Sequence, residues 1–121
     1  MKKILILGSN SFAASCYIDY LLNKNYRVYG FSRSSEPHKI LLKYKLNEKI
    51  KNFKFTKFNI NNDFNFLKKF IKKNKIDYIV DFLGQGMVAE SWCNPHHWYR
   101  TNIVAKAKLY DYLSKNRKFK K

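Results

Sequence analysis

Acidic side chains are scarce in this 121-residue sequence, which sets 8 Asp and Glu against 25 Lys and Arg for a formal net charge of +17. A surplus on that scale raises a polyanionic partner as the first question. All but four of the basic residues are lysine, however, and they are scattered among Asn, Ile, Phe and Tyr instead of forming an arginine-rich block. These residue types share AT-rich codons, so a biased base composition supplies the surplus without any nucleic acid to bind. A basic nucleic-acid-binding domain is therefore the least favoured of three functional readings.

Cysteine is nearly absent too. Cys16 and Cys93 are too few for a disulfide framework and make no C-x-x-C or other zinc-type spacing, which fits a reducing, cytoplasmic setting. Cys93, His96 and His97 cluster in sequence but lack a fourth partner at a recognised spacing, so no metal is expected. Long hydrophobic runs are missing as well. The apolar stretch Ile4 to Leu7 breaks at Gly8, short of the roughly 7 to 15 residues of a signal peptide and the roughly 20 of a membrane span. A membrane partner is excluded on that basis. What is abundant is aromatic surface: 10 Phe and 9 Tyr in a sequence that is 45% hydrophobic suffice for one packed domain.

The apolar run Ile4–Leu7 predicts a strand buried on both faces. A helix follows from Ser11 to Lys24, with Phe12, Ala13, Cys16, Tyr17, Tyr20 and Leu21 at helical spacing. Strands are predicted over Arg27–Ser32, Phe53–Phe58 and Tyr78–Phe82. Between the first two, Glu36–Lys51 reads either as a helix carrying Ile40, Leu41, Tyr44 and Leu46 or as a partly irregular crossover. Asn62 or Asp63 is the expected N-cap of a helix with Phe64, Leu67, Phe70 and Ile71 on one face. A loop from Gly84 to about His97 precedes a last helix, Tyr99 to Leu113, with Ile103, Ala107, Leu109, Tyr110 and Leu113 on its buried side. Ser114 to Lys121 is a basic tail. This alternation predicts an α/β fold: an incomplete Rossmann-type doubly wound parallel sheet of about four strands with flanking helices, in one unit spanning residues 1–121.

With 4 glycines in the chain, a glycine-rich phosphate loop is only partly present. In such a fold the first turn brings backbone N–H groups to a pyrophosphate at a helix N-terminus. Here the turn is Gly8-Ser9-Asn10-Ser11-Phe12-Ala13-Ala14-Ser15. Against G-x-x-G-x-x-G, Gly8 matches while Ser11 and Ala14 substitute small residues for the other glycines. By itself this leaves an ordinary strand-to-helix turn as an equal alternative.

Two later segments add to the turn. Asp77-Tyr78-Ile79-Val80-Asp81-Phe82-Leu83-Gly84-Gln85 resembles the fourth strand of the extended short-chain dehydrogenases, and the turn itself is similar to their G-G-x-G-F-I-G-S. Glu90-Ser91-Trp92-Cys93-Asn94-Pro95, followed by Tyr99-Arg100-Thr101-Asn102, resembles their S-x-x-x-P and T-N pattern. The chain is thus identified with the N-terminal portion of the NAD-dependent epimerase/dehydratase family, in particular its dTDP-glucose 4,6-dehydratase-like members. The resemblance implies a nicotinamide dinucleotide held by Gly8, Ser9, Asn10, Ser11 and Phe12 at the pyrophosphate, by Asn59 and Ile60 beside the adenine, and by Leu83, Gly84 and Gln85 along the nicotinamide ribose, with Asn102 matching the family's helix asparagine near the site.

The end of the second strand, Phe31-Ser32-Arg33-Ser34-Ser35, has no acid before Glu36, whereas a free ribose 2'-hydroxyl is normally met by one. Arg33, with Ser32 and Ser34, instead suits a 2'-phosphate, which favours NADP over NAD. The Tyr-x-x-x-Lys pair that the resemblance implies for catalysis has one match in spacing, Tyr20 and Lys24, on the first helix and far from the cofactor. That match is coincidental, and the catalytic residues are expected beyond Lys121. Trp92 and Trp98 are expected to cover the loop or meet further elements. The favoured reading is the cofactor portion of a nucleotide-sugar dehydratase or epimerase, with a nucleotide-sugar substrate and a homodimer expected for the full protein. A stand-alone NADP-binding or redox-sensing module is the alternative.

Overall fold

The computed structural model describes residues 1–119. Four strands, β1 (Lys3–Leu7), β2 (Arg27–Ser32), β3 (Phe53–Lys57) and β4 (Tyr78–Asp81), form one parallel sheet in the order β3-β2-β1-β4. Ile4 lies beside Val28 on one side and Tyr78 on the other. Successive crossovers run outward from β1 to β3 and then return to the opposite flank of β1. The chain therefore reverses direction across the sheet between β1 and β4, and a crevice opens at the C-terminal ends of these strands.

Alternation along β1 divides the core. Ile4 and Ile6 pack with Ala14, Ile18, Leu21 and Leu22 of α1 (Phe12–Asn23), and with Leu42 and Tyr44 of the β2–β3 crossover. Leu5 and Leu7 face the other way, onto Leu67 and Ile71 of α2 (Phe64–Asn74) and Ala105 and Leu109 of α5 (Ala105–Ser114). Both faces are covered, which is why the strand is continuously apolar. On the second face Phe31 meets Phe58 and Phe70 with ring centroids 5.0 and 4.8 Å apart.

The crossover between β2 and β3 is irregular: it forms three 3-10 turns, at Lys39–Leu41, Lys43–Leu46 and Ile50–Asn52. Ile40 and Leu46 are exposed while Leu42 and Tyr44 are buried, so the apolar residues do not share one helical face. The Tyr44 hydroxyl donates to Glu36 at 2.8 Å and Lys45 pairs with the same carboxylate at 2.7 Å, which fastens the segment.

Three sequence expectations are corrected. The buried face of α1 is Ala14, Ser15, Ile18, Leu21 and Leu22, while Phe12 is 81% and Tyr20 53% exposed. Ser11 caps this helix, accepting from the Ala14 N–H at 3.2 Å, and only small residues fit where its first turn approaches the sheet. The Gly84–His97 segment is not wholly loop, since it contains α3 (Val88–Cys93) and the start of α4 (Pro95–Tyr99). The last helical stretch begins at Pro95, a favoured first helical residue. It passes through a π-turn at Arg100–Val104 before α5. The wider turn rotates the faces of α5, so Ala105 and Leu109 are buried while Ile103 and Tyr110 are more than half exposed and Ala107 is exposed.

Gly8 is the one glycine with positive φ, +80°, and an added Cβ would lie 2.7 Å from the Phe82 carbonyl carbon. Gly8→Ala is expected to lower unfolding stability by about 3 kcal/mol, combining left-handed strain with backbone overlap. Gly86→Ala, where nothing lies within 4 Å of the added carbon, should stay within about 0.5 kcal/mol in the same urea titration.

Asp77 ties together the N-terminal ends of the parallel strands β1 and β4, its Oδ2 accepting from the Lys3 N–H at 2.8 Å and its Oδ1 pairing with Lys118 at 3.2 Å. The Lys3 hydrogen bond, helped by Lys118, holds its carboxyl below the usual aspartate value. A depressed folded-state value means the stabilisation is present above the unfolded-state value, about pH 4, and is lost as pH falls through the lower one. Asp77→Asn should flatten that part of the stability profile between pH 5 and pH 2, measured by circular dichroism.

Candidate functional site

The turn after β1 is fastened to the end of β2. Gly8 and Ser9 donate their N–H groups to the Phe31 carbonyl at 2.7 and 3.1 Å, and the Asn10 N–H donates to Ser32 Oγ at 3.0 Å. The Asn10 amide nitrogen donates to the carbonyls of Ser34 and Ser35, both at 3.0 Å. These bonds bring the β2 end, with Arg33, alongside the start of α1. In the first turn of α1 the Ala14 N–H is capped by Ser11, whereas the N–H groups of Phe12 and Ala13 have no partner among the described residues. Such orphan donors, at the positive end of the helix dipole, suit an anion.

An open cleft of about 200 Å³ lies at the strand ends. Of the residues selected from sequence, the structure brings Gly8, Ser11, Ser32, Arg33, Ser34, Asn59, Ile60, Leu83, Gly84 and Gln85 to its wall. Phe58, Asn61, Phe82 and Thr101 complete it. Among the described residues no carboxylate lines the cleft, and Arg33 is its one charged residue. The remaining selected residues stand elsewhere. Ser9 is fully buried beneath the turn, with its Oγ 3.4 Å from that of Ser32. The Asn10 amide nitrogen is engaged at the β2 end while its Oδ1 is buried without a partner among the described residues, and the Phe12 ring is in solvent.

Asn102 is absent from the cleft wall, but it fixes one side of it. Its Oδ1 accepts from the Gln85 N–H at 2.7 Å and its amide nitrogen donates to the Gln85 carbonyl at 3.0 Å. The neighbouring Thr101 Oγ1 accepts from the Asn61 amide at 3.1 Å. Both residues lie in the π-turn Arg100–Val104, so this one turn ties the β4 end and the β3 end together. At the β3 end itself, Asp63 stands at the N-cap position of α2 as expected, but its side chain makes no capping bond to the helix. Its carboxylate accepts from the Asn59 N–H at 2.8 Å and holds the Asn59–Ile60 turn.

A further group at the β4 end was not legible in sequence. Lys106 donates to the Asp81 carboxylate and to the Leu83 carbonyl, and the Tyr110 hydroxyl donates to Asp81 at 3.0 Å. Loss of solvent around the hydroxyl and the adjacent carboxylate push Tyr110 above the ordinary tyrosine value, so it acts as a donor and not a base. The only possible signal was spacing: Lys106 and Tyr110 are four apart on one helix. Tyr20 and Lys24, by contrast, stand at the other end of α1 from the cleft, with the lysine over the tyrosine ring at 5.7 Å.

Helix N–H groups and an arginine without a hydrogen-bond or ion-pair partner among the described residues, beside amide and aliphatic walls, are a donor set that could hold a dinucleotide. Among the described residues no three His, Cys, Asp or Glu side chains converge as a metal site, and no helix is long and apolar enough to cross a membrane.

Comparison with known proteins agrees with this geometry. A dTDP-glucose 4,6-dehydratase from Bacillus anthracis, solved in complex with NAD, superposes with a TM-score of 0.72 over 95% of this chain and 34% of its own, at 22% identity. A UDP-glucose 4-epimerase from Bifidobacterium longum, in complex with NAD+ and UDP, gives 0.76 over 94% and 34% at 23% identity. The UDP-Glc/GlcNAc 4-epimerase of Campylobacter jejuni gives 0.74 over 92% and 33% at 27% identity. A UDP-glucose 4-epimerase of Pisum sativum is 28% identical over 119 residues, 95% of this chain and 34% of the relative. The chain thus spans about a third of the length of the relatives it matches. The sequence model of one family, described as GDP-mannose 4,6 dehydratase, matches residues 5–121. With a four-stranded parallel sheet, a strand-end cleft and a match of that extent, the chain belongs to the GDP-mannose 4,6 dehydratase family.

Proposed function

We propose that this chain holds the nicotinamide dinucleotide of a nucleotide-sugar 4,6-dehydratase or epimerase, with NADP preferred to NAD. The observation that carries the reading is the acid-free cleft, whose wall combines the Gly8–Ser11 turn, Arg33 and the Leu83–Gln85 segment beside the free N–H groups of α1. In this reading the pyrophosphate sits against the Phe12 and Ala13 N–H groups, the adenine against Asn59 and Ile60, and the nicotinamide ribose along Leu83, Gly84 and Gln85. Ser9 and Asn10 hold the turn in place from behind. The bound nicotinamide supplies hydride transfer, and the residues of this chain bind and orient it. The substrate class proposed for the whole protein is a nucleotide-activated hexose, in keeping with the names of its relatives. Acid–base chemistry on the sugar is assigned to no residue of this chain.

The NADP preference rests on Arg33, the only charge at the cleft wall, where a carboxylate would be expected to meet a free 2'-hydroxyl. In a fluorescence titration, NADPH should bind more tightly than NADH. Arg33→Ala should weaken NADPH by about tenfold, the scale of one charge-assisted contact. Equal affinities for the two nucleotides would refute the preference while leaving the dinucleotide site intact.

Asn102 acts in this reading by holding Gln85, not by touching the ligand. Asn102→Ala should speed hydrogen exchange of the Gln85 amide and weaken both dinucleotides by about tenfold, the cost of losing two hydrogen bonds. An unchanged exchange rate would show that the Gln85 loop is held by other contacts.

A further inference from the structure

A second recess, of about 170 Å³, adjoins the cleft and shares Arg33, Asn59, Asn61, Gln85 and Thr101 with it. Its other side is formed by Asn62, His97 and Arg100. No carboxylate lines it, and neither arginine takes part in an ion pair among the described residues. The sequence holds four arginines among 25 basic residues, and two of the four meet here. A composition so biased toward lysine would supply lysine at a merely solvated position. Two planar guanidinium forks on one small recess, edged with amide donors, match the geometry of a phosphate.

The base of Arg100 is well fixed. It opens the π-turn Arg100–Val104, whose next two residues are bonded to Asn61 and Gln85. The turn that carries Arg100 is thereby fastened to both neighbouring loops.

We propose that this recess seats the 2'-phosphate of the dinucleotide between Arg33 and Arg100, with Arg100 the second specificity-determining residue. The inference rests on the NADP reading and adds to it a residue on a different element, some 70 positions along the chain. The recess takes a phosphate monoester carried on a ribose, continuous with the base and ribose in the main cleft.

The experiment measures binding of 2',5'-ADP and 5'-AMP to the full chain by calorimetry, and takes the ratio of their affinities. The two ligands differ only in the 2'-phosphate, so 5'-AMP binding also checks that each variant is folded. The native chain should favour 2',5'-ADP, and Arg100→Ala should reduce the ratio by about tenfold, with Arg100→Lys restoring only a fraction of it. A ratio that collapses in Arg33→Ala but survives in Arg100→Ala overturns the inference and leaves the NADP reading standing. A native chain that does not distinguish the two ligands overturns both. Inorganic phosphate that displaces 2',5'-ADP at equal concentration would mean a free-phosphate site and would also overturn it.

Discussion

The backbone of Gly8 lies against the backbone of Phe82 and Leu83 with no slack. A methyl at Gly8 would stand 2.7 to 2.9 Å from three of their atoms. This approach lets the ends of β1 and β4 diverge from a common point, the first into α1 and the second toward Gln85. Gly30 has a matching role on the adjacent strand, since a side chain there would meet Phe53 and the Cβ of Ser9. The turn can therefore lie flat against the sheet, with Ser9 fully buried beneath it. Cleft, helix start and β4 loop all take their positions from these two contacts.

Around that point the rim is assembled mostly by uncharged groups. Asn10 ties the first turn to the β2 end, Asn61 and Thr101 join the β3 end to the π-turn, and Asn102 grips Gln85 through both its amide atoms. The exceptions sit behind the wall. Asp63 braces the Asn59 turn, and the Asp81–Lys106 pair secures the strand that carries Leu83. An asparagine-rich composition thus serves a structural purpose at these positions: amides both donate and accept, and they bridge loops without placing a charge where an anionic ligand would lie.

The sheet was legible because β1 reports its surroundings directly: Ile4 to Leu7 is apolar at every position, and both faces are covered. The face of α2 was legible for the same reason, with Leu67 and Ile71 buried at helical spacing. The face of α1 was not, because aromatic residues drew the reading toward Phe12 and Tyr20. The close approach to the sheet admits only small side chains such as Ala14 and Ser15 at the first turn. The π-turn left no mark in a periodicity built on 3.6 residues, so Ile103 and Tyr110 were placed inward. At the site, cleft-wall residues could be read from their places at strand ends. The fastenings could not, since Asn61 to Thr101 spans 40 positions and depends on a turn that sequence did not reveal.

The make-up of the cleft wall has a consequence for how binding responds to acidity. Every residue of that wall other than Arg33 is glycine, serine, threonine, amide or apolar, and an arginine keeps its proton throughout the physiological range. The pocket therefore presents the same electrostatic face at pH 5 as at pH 9. A nucleotide phosphate monoester, by contrast, takes up its second proton near pH 6. Within the main cleft the protein thus acts as a fixed positive template, while the imidazole of His97 stands in the adjoining recess.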